Sequence, residues 1–283
     1  MFEVKFANMH LHSTYSDAGF TPEQLVLIGK SLGYGALVLT DHETDGGNEV
    51  FRRFARQEGI ETLTGVEFYG KINGVAVHLT ALDFDPEEPT LRAYIKERCD
   101  LQYERTRKLT EIGIANGFMG ELSWDDVLSV TEPGTWFCTD TVLNAMRVLG
   151  KIPPEGIGGV RPNVFRTPLA DELKVPYPKA EVVIRAVRKA GGIIALAHPS
   201  ELGLAELGNL VALGLNGIEV DHADIPESRV PAILEAREYY RLYPCGGTDH
   251  TGPMSACGGK HAIPVFSGIT EEEFFLLKER RLG

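Results

Sequence analysis

Short β-branched and aliphatic runs alternate with amphipathic stretches along the first third of the chain. Val4–Met9 reads as a strand. Thr21-Pro22-Glu23-Gln24 then opens a helix, with Thr21 as N-cap, Pro22 at the first helical position and Gln24 placed to close a capping box. Leu25, Ile28 and Leu32 form its apolar stripe, and Gly33 and Gly35 stop it. Ala36–Thr40 predicts a second strand and Asn48–Glu58 a second helix. Glu61–Phe68 and Val75–Leu82 predict two more strands around a turn at Asn73-Gly74, which is a hairpin signal.

The rhythm breaks after Asp85. From Pro86 to about Pro178 the chain is polar and helical, then rich in Pro and Gly. A long helix is expected over Leu91–Asn116 and a shorter one over Thr139–Leu149, with an irregular stretch over Lys151–Pro168. Structureless loops of such length are uncommon inside a compact domain, so the block reads as an insertion, either a lid or a small second domain.

Alternation resumes with a helix over Lys179–Ala190 and a strand over Ile193–Ala197. Helices over Leu204–Leu213 and Pro226–Tyr240 follow, interleaved with strands over Gly217–Asp221 and Leu242–Gly246. A capping box at Thr270-Glu271-Glu272-Glu273 starts the last helix. Seven strands, mostly followed by helices, predict a parallel α/β barrel. The expected architecture is a distorted (β/α)7 barrel from residues 1–85 and 179–283, carrying a mostly helical insertion over 86–178.

Composition narrows the class. The 283 residues are 43% hydrophobic and 24% charged, ordinary for a folded protein with a substantial core. A formal net charge of −12 argues against tracking long nucleic acid, because phosphate contacts need clustered Lys and Arg. A small anionic substrate stays compatible, since bound cations and a few arginines reverse the local sign. Met1–Met9 lacks a signal-peptide pattern, and the longest apolar runs, such as Ile193–Ala197, are too short to span a bilayer. Cys99, Cys138, Cys245 and Cys257 show no CxxC pairing and read as reduced thiols of a cytoplasmic protein.

The candidate chemistry lies in the histidines. Of eight, seven fall on or just past a predicted strand, and His261 is the exception. His10-Leu11-His12 follows the first strand, Asp41-His42 the second, and Glu67 ends the third. His78 lies within the fourth, and His198 ends the fifth. Glu219, Asp221 and His222 end the sixth, and Asp249-His250 the seventh. In an α/β barrel those ends share one mouth. So many carboxylates and imidazoles together would be costly unless cations neutralised the acids and used the ring lone pairs. His10 and His12, two residues apart on an extended chain, face the same side and can reach one ion. Imidazole and carboxylate donors suit Mn²⁺, Fe²⁺ or Zn²⁺, and a set this large suits a cluster of ions rather than a single zinc.

These motifs resemble the PHP (polymerase and histidinol phosphatase) family, a branch of the amidohydrolase superfamily. His10-Leu11-His12-Ser13-Thr14-Tyr15-Ser16-Asp17 is similar to the family's HxH…SD opening. Thr40-Asp41-His42, Gly65-Val66-Glu67, Ala197-His198-Pro199 and Gly247-Thr248-Asp249-His250 are similar to its later motifs, over about residues 1–85 and 180–260. The resemblance implies two or three divalent ions. His10, His12, Glu67 and Asp249 would hold the first, Glu67 would bridge to a second on His78 and His198, and Asp17, His42 and His250 would hold a third. Here the sequence departs from the family, which separates its final Asp and His by one residue. Neighbouring side chains on an extended chain point apart, so either the chain turns at Thr248–Gly252 or His222 serves instead.

The function this implies is hydrolysis of a small phosphate ester carrying a second phosphate: a nucleoside 3′,5′-bisphosphate or a sugar phosphate, including a cyclic diester. Asp249, His198 and His222 are the candidate catalytic groups, His198 or His222 as proton donor to the leaving group. Arg147, Arg161 and Arg166, with Lys151, bring positive charge to the insertion, and one or two arginines could grip the second phosphate. Trp136 and Phe137 either stack on a base or sugar or pack the insertion, and Gly156–Gly159 is a weak hinge or phosphate-turn signal. The alternatives are a phosphatase of the histidinol phosphate type, a 5′-3′ exonuclease on short oligonucleotides, amide hydrolysis, and a PHP module retained without activity. No membrane or long nucleic-acid partner is expected.

Overall fold

The computed structural model describes residues 5–154, 156–252 and 267–282. Val4 at the start of the first expected strand, Cys257 and His261 lie outside them.

The chain opens with β1 (Ala7–Leu11), α1 (Pro22–Ser31), β2 (Ala36–Leu39) and α2 (Asn48–Glu58), then β3 (Gly65–Ile72) and β4 (Val75–Leu82). Residues 86–178 hold α3 (Pro89–Ala115), α4 (Trp124–Ser129), α5 (Thr139–Leu149), one-turn α6 (Ile157–Val160), a π-helical turn over Arg161–Phe165, and α7 (Pro168–Glu172). The remainder is α8 (Ala180–Lys189), β5 (Ile193–Leu196), α9 (Glu201–Ala205), α10 (Leu207–Ala212), β6 (Gly217–His222), α11 (Val230–Tyr240), β7 (Tyr243–Gly247) and α12 (Glu271–Lys278). The architecture is mixed α/β.

All seven expected strands form, but not as a uniformly parallel set. β1 and β2 make a parallel pair, and β3-β4-β5-β6-β7 make a second sheet. β4 runs antiparallel to β3 and β5, because only a tight turn at Asn73-Gly74 separates β3 from β4. Isolated bridges tie the edges of the two sheets, at Ala36↔Glu61 and His42↔Glu67 on one side and Leu11↔His250 on the other. Every residue of β1, β2, β5 and β7 is buried, which explains why β2 and β5 read as continuous apolar runs rather than alternating ones.

Local chemistry sets the helix ends. Thr21 and Gln24 close the expected capping box of α1, and Thr270 and Glu273 that of α12. The buried stripe of α1 is Leu25, Val26 and Gly29, rotated from the expected Leu25–Ile28–Leu32. Gly29 causes the rotation: a Cβ there would lie 2.4 Å from a Leu37 methyl, so this face lies flush on β2. The single helix expected over Leu204–Leu213 is divided at Glu206 into α9 and α10. Short α4, whose capping box is Ser123 with Asp126, went unpredicted because six residues carry too little periodicity.

Helices cover the second sheet through Phe68, Leu79, Val183, Ile184, Leu210 and Ile233. α1 and α2 cover β1 and β2 through Leu25, Leu37 and the fully buried Phe51. Residues 86–178 build a separate apolar cluster around Leu109, Trp124, Phe137, Met146 and Phe165. α3 serves both cores, since Leu91, Tyr94 and Ile95 pack on the sheet side and Leu109 on the other. The helical segment is also stitched to the loops after β1 and β2. Trp136 donates its backbone N–H to Tyr15 O (2.9 Å), and Asn144 its side-chain amide to Ala18 O (3.1 Å). The Thr44 hydroxyl donates to Gly134 O (2.6 Å).

Candidate metal centre

Seven strands and the loops beyond them deliver the site. β1 carries His10 and leads to His12, with ring centroids 5.2 Å apart on one face, as the two-residue period requires. His42 follows β2, and Glu67 lies near the start of β3, which runs on past the site to its hairpin instead of ending there. Because β4 returns antiparallel, its first half meets the site: His78 is paired with Tyr69. His198 follows β5, and β6 carries Glu219 and His222. β7 leads to Asp249, and a Cβ on Gly247 would lie 2.4 Å from His10 N, so only glycine lets β7 pass this close to β1. His198 (φ 26°) and Asp249 (φ 49°) adopt left-handed backbone, a strained state common at functional sites.

Glu67 is the hub. Its Oε1 lies 2.9 Å from His78 Nδ1 and 3.1 Å from His198 Nε2. Its Oε2 lies 3.4 Å from His10 Nε2, 3.3 Å from His12 Nε2 and 3.0 Å from His42 Nδ1. Asp249 Oδ1 faces the same two rings, at 3.7 Å from His10 Nε2 and 3.0 Å from His12 Nε2. Asp17 sits at 3.6 Å from His12 Nδ1 and 3.8 Å from His42 Nε2.

Three sets are close enough to share an ion: His10, His12, Glu67 and Asp249; Glu67, His78 and His198; and His12, Asp17 and His42. A further set joins His10, Glu219 and His222. Glu67 Oε2, His10 Nε2, His12 Nε2 and His42 Nδ1 are buried and make no hydrogen bond, although they face one another. Buried polar atoms left in that state are costly, and cations between them would remove the cost. The residues therefore fit divalent ions with nitrogen and oxygen donors.

The electrostatics fit as well. Burial alone would push Glu67 up, but the surrounding His42, His10 and His78 rings outweigh it and hold its carboxyl well below the usual range. Asp249 is likewise buried yet held far down, chiefly by His10 and His12. Burial works against the charged forms of His10 and His12, but the facing carboxylates prevail and raise both well above an ordinary imidazole. Burial wins at His78, which is lowered, and at His222, which falls to about 4.

His222 lies outside the sets built on Glu67, in the further set with His10 and Glu219. Its Nδ1 accepts the Asp224 backbone N–H at 2.9 Å, which puts the proton of the neutral ring on Nε2. That Nε2 points toward Asp249 Oδ2 at 3.7 Å. The ring is thus a hydrogen-bond donor toward the site.

His250 does not join Asp17 and His42. Its ring stacks on Phe20, with centroids 5.5 Å apart and 22° between planes. Asp249 and His250 thus point to different places, and it is His12 that lies close to Asp17 and His42.

From the sequence Glu219 has a place at a strand end but no role, and the structure supplies one. It accepts from His10 Nδ1 at 2.7 Å and from the His198 backbone N–H, so it orients two candidate ligands. The sequence signal is an acid set between Ile218 and Val220 in the first half of the strand. Asp221, two residues on, faces Lys5 at 3.5 Å. Asp41 also stays out of the ligand sets: its carboxylate takes Ser13 N–H (2.7 Å) and Ser13 and Ser16 hydroxyls, and so shapes the loop that presents Asp17.

The arginines lie on the helical segment. Arg161 pairs with Asp140 at 2.9 Å, and Arg147 donates to Asn144 at 2.8 Å. Lys151 pairs with Asp126 at 2.6 Å, and Arg166 is exposed. Phe137 packs inside the helical cluster, whereas the Trp136 ring lies 5.6 Å from His42.

Among the described residues no helix is long and apolar enough to cross a membrane. Residues 8–113 match the PHP domain. The chain is 25% identical over 248 residues to a phosphoribosyl 1,2-cyclic phosphate 1,2-diphosphodiesterase of Eggerthella lenta, covering 87% of this chain and 94% of that one. It is 27% identical over 260 residues to a 3′,5′-nucleoside bisphosphate phosphatase of Chromobacterium violaceum, covering 87% of each. It is 29% identical over 205 residues to a 5′-3′ exoribonuclease of Haemophilus influenzae, covering 69% of each. The solved structure of a metal-dependent phosphoesterase from Bifidobacterium adolescentis shares the fold, with a TM-score of 0.79 at 22% identity over 99% of this chain and 98% of that one. With a PHP domain matched over residues 8–113, similarity to phosphatases and phosphodiesterases, and a buried cluster of metal-type donors, the chain is a metal-dependent phosphoesterase that carries a PHP domain.

Proposed function

We propose that the chain hydrolyses a small phosphate ester bearing a second phosphate, at two or three divalent ions such as Mn²⁺, Fe²⁺ or Zn²⁺. The observation that carries this reading is the convergence of buried His10 Nε2, His12 Nε2, His42 Nδ1 and Glu67 Oε2, none of which makes a hydrogen bond. His10, His12, Glu67 and Asp249 would hold one ion, and Glu67, His78 and His198 a second. Asp17 and His42 would hold a third. His12 contributes to only one of its two sets, because a neutral imidazole offers a lone pair on one nitrogen and a proton on the other. Ions so held would lower the pKa of water toward neutrality and offset charge on the phosphoryl oxygens.

The protein's own groups do the rest. His222 presents Nε2–H beside Asp249 and would donate to a phosphoryl or leaving oxygen. His198 is held by its backbone to Glu219 and serves as ligand rather than acid. Glu219 fixes the His10 ring through its Nδ1 proton. The two sheets, bridged at both edges, read as one closed barrel, with residues 86–178 as the substrate wall beside its mouth.

Arg147 and Arg161 flank Asp140 on and beside α5, which is anchored to the Asp17 loop through Asn144. They would receive the second phosphate. Arg166, exposed at the end of the π-helical turn, is the outermost of the three. The relatives from Eggerthella lenta and Chromobacterium violaceum support a cyclic sugar phosphate or a nucleoside bisphosphate. A second reading, a 5′-3′ exonuclease on short oligonucleotides, is favoured by the similarity to the Haemophilus influenzae protein.

Phosphate release is the test, using Mn²⁺-loaded protein and an Asp249→Ala control. The panel holds nucleoside 3′,5′-bisphosphates, cyclic ribose phosphates, short oligonucleotides and histidinol phosphate. Selective turnover of a two-phosphate compound is expected. Turnover of histidinol phosphate alone would remove the role given to the arginines, and shortening of oligonucleotides alone would establish the second reading.

A further inference from the structure

His42 is held differently from His10. Histidines that bind metals usually donate their second ring N–H to a carboxylate or carbonyl outside the site, which fixes the ring plane. His10 does this through Glu219. His42 has no nitrogen to spare, since Nδ1 faces Glu67 at 3.0 Å and Nε2 faces Asp17 at 3.8 Å. Its plane has to be set by packing. The packing is a stack of three rings: His42 on Tyr69, with centroids 4.8 Å apart and 18° between planes, and Tyr69 on Tyr177, at 4.7 Å and 10°.

Beneath that stack lies a buried ion pair. Glu43 is 0% exposed and Arg98, on α3, is 8% exposed, with Nε 3.1 Å from Glu43 Oε2. At Glu43 the backbone turns left-handed (φ 55°), which ends its strand pairing with β3. Its other carboxylate oxygen then accepts the Tyr69 backbone N–H at 3.0 Å, replacing the lost ladder bond. Arg98 also donates to Pro176 O at 3.1 Å, one residue before Tyr177. Cys99 adds a contact from its Sγ to Glu43 O at 3.5 Å. The pair therefore grips His42 through the chain, Tyr69 through its N–H, and Tyr177 through its neighbour. Buried ion pairs are poor sources of stability, because desolvating both charges offsets most of their attraction. One tied through the backbone to all three members of a stack has a geometric use.

We propose that Glu43 and Arg98 are positioning residues: they hold the His42–Tyr69–Tyr177 stack and so fix the plane of the His42 imidazole toward Asp17 and Glu67. This rests on the reading of His42 as a ligand. Helix α3 thereby acts on the metal centre without touching it. Disturbing the pair or the stack costs metal affinity at the His42 side of the site, by roughly the ten- to a hundredfold typical of partners that orient a ligand.

The test compares the Glu43→Gln/Arg98→Met double variant, which removes both charges and keeps the volume, with Tyr69→Leu, Tyr69→Phe and His42→Ala. Mn²⁺ bound per chain, Mn²⁺ affinity, kcat, KM and the melting of metal-free protein are measured for each. The double variant and Tyr69→Leu should lose Mn²⁺ affinity and kcat with little change in KM, while Tyr69→Phe, which keeps the ring, retains affinity. Should the double variant not fold, the contrast between Leu and Phe at position 69 decides alone. A folded double variant with the affinity and kcat of the parent protein overturns the proposal, as does equal loss in both Tyr69 variants. His42→Ala separates the two levels: if it binds as many ions as the parent, it is the ligand assignment that fails.

Discussion

Glu219 Oε1 lies 2.7 Å from His10 Nδ1, and the other oxygen of the same carboxylate accepts the His198 backbone N–H. One buried acid on β6 thus sets the orientation of two candidate ligands, one on β1 and one just past β5. Glu219→Gln keeps the shape but weakens the hold on the His10 ring. It should lower Mn²⁺ affinity about ten- to a hundredfold, as read by titration calorimetry, while the protein still melts cooperatively.

His222 donates through Nε2 and stands apart from the ligand sets built on Glu67. His222→Ala should therefore lower kcat by about a hundredfold or more, the usual size of a lost proton or hydrogen-bond donor in a transition state. Metal content, measured by mass spectrometry of the digested protein, should stay at the parent level. A loss of one ion per chain would instead make His222 a ligand.

Chelation should destabilise the protein. Ions that bind only the folded state contribute about 2.7 kcal/mol when present at a hundred times their dissociation constant. Dialysis against EDTA should lower the melting temperature, and added Mn²⁺ should restore it in a concentration-dependent way. An unchanged melting curve would mean that the Glu67 cluster holds no ion that matters to folding.

Acid should loosen the helical segment through Asp126. The Lys151 ammonium, 2.6 Å away, and the Ser123 cap hold this carboxyl down to about 2, below the ordinary carboxylate range near 4. A group depressed in the folded state stabilises it above the unfolded value, and that contribution disappears as pH falls from about 4 to about 2. The difference in melting temperature between the parent protein and Asp126→Asn should therefore be constant above pH 5 and shrink across that window. The contribution is modest, because Asp126 and Lys151 reach solvent.

Much of this was legible in the sequence, for identifiable reasons. Runs such as Ala36–Leu39 and Ile193–Leu196 announced strands because both faces of these strands are covered, and their polar ends then marked His42 and His198. His10 and His12 were placed together by the two-residue period of a strand. The adjacency of Asp249 and His250 already set His250 apart, but where its ring goes was not legible, since a left-handed turn at Asp249, a residue other than glycine, has no clear sequence mark. Nor was the bond of Glu219 to His10, a relation between residues 209 positions apart. Glu43 and Arg98 were hidden for the same reason, being charged residues that only the folded chain brings together.

The stitches from Gly134, Trp136 and Asn144 to the loops carrying Tyr15, Ala18 and Thr44 have a consequence for anyone redesigning this enzyme. They use groups of both partners, so excising residues 86–178 would strip hydrogen bonds from the very loops that carry Asp17 and His42. The helical segment is not a cassette. A substitute taken from a relative would have to bring matching contacts for Tyr15 O, Ala18 O and the Thr44 hydroxyl, or the graft would exchange one specificity for an unformed metal site.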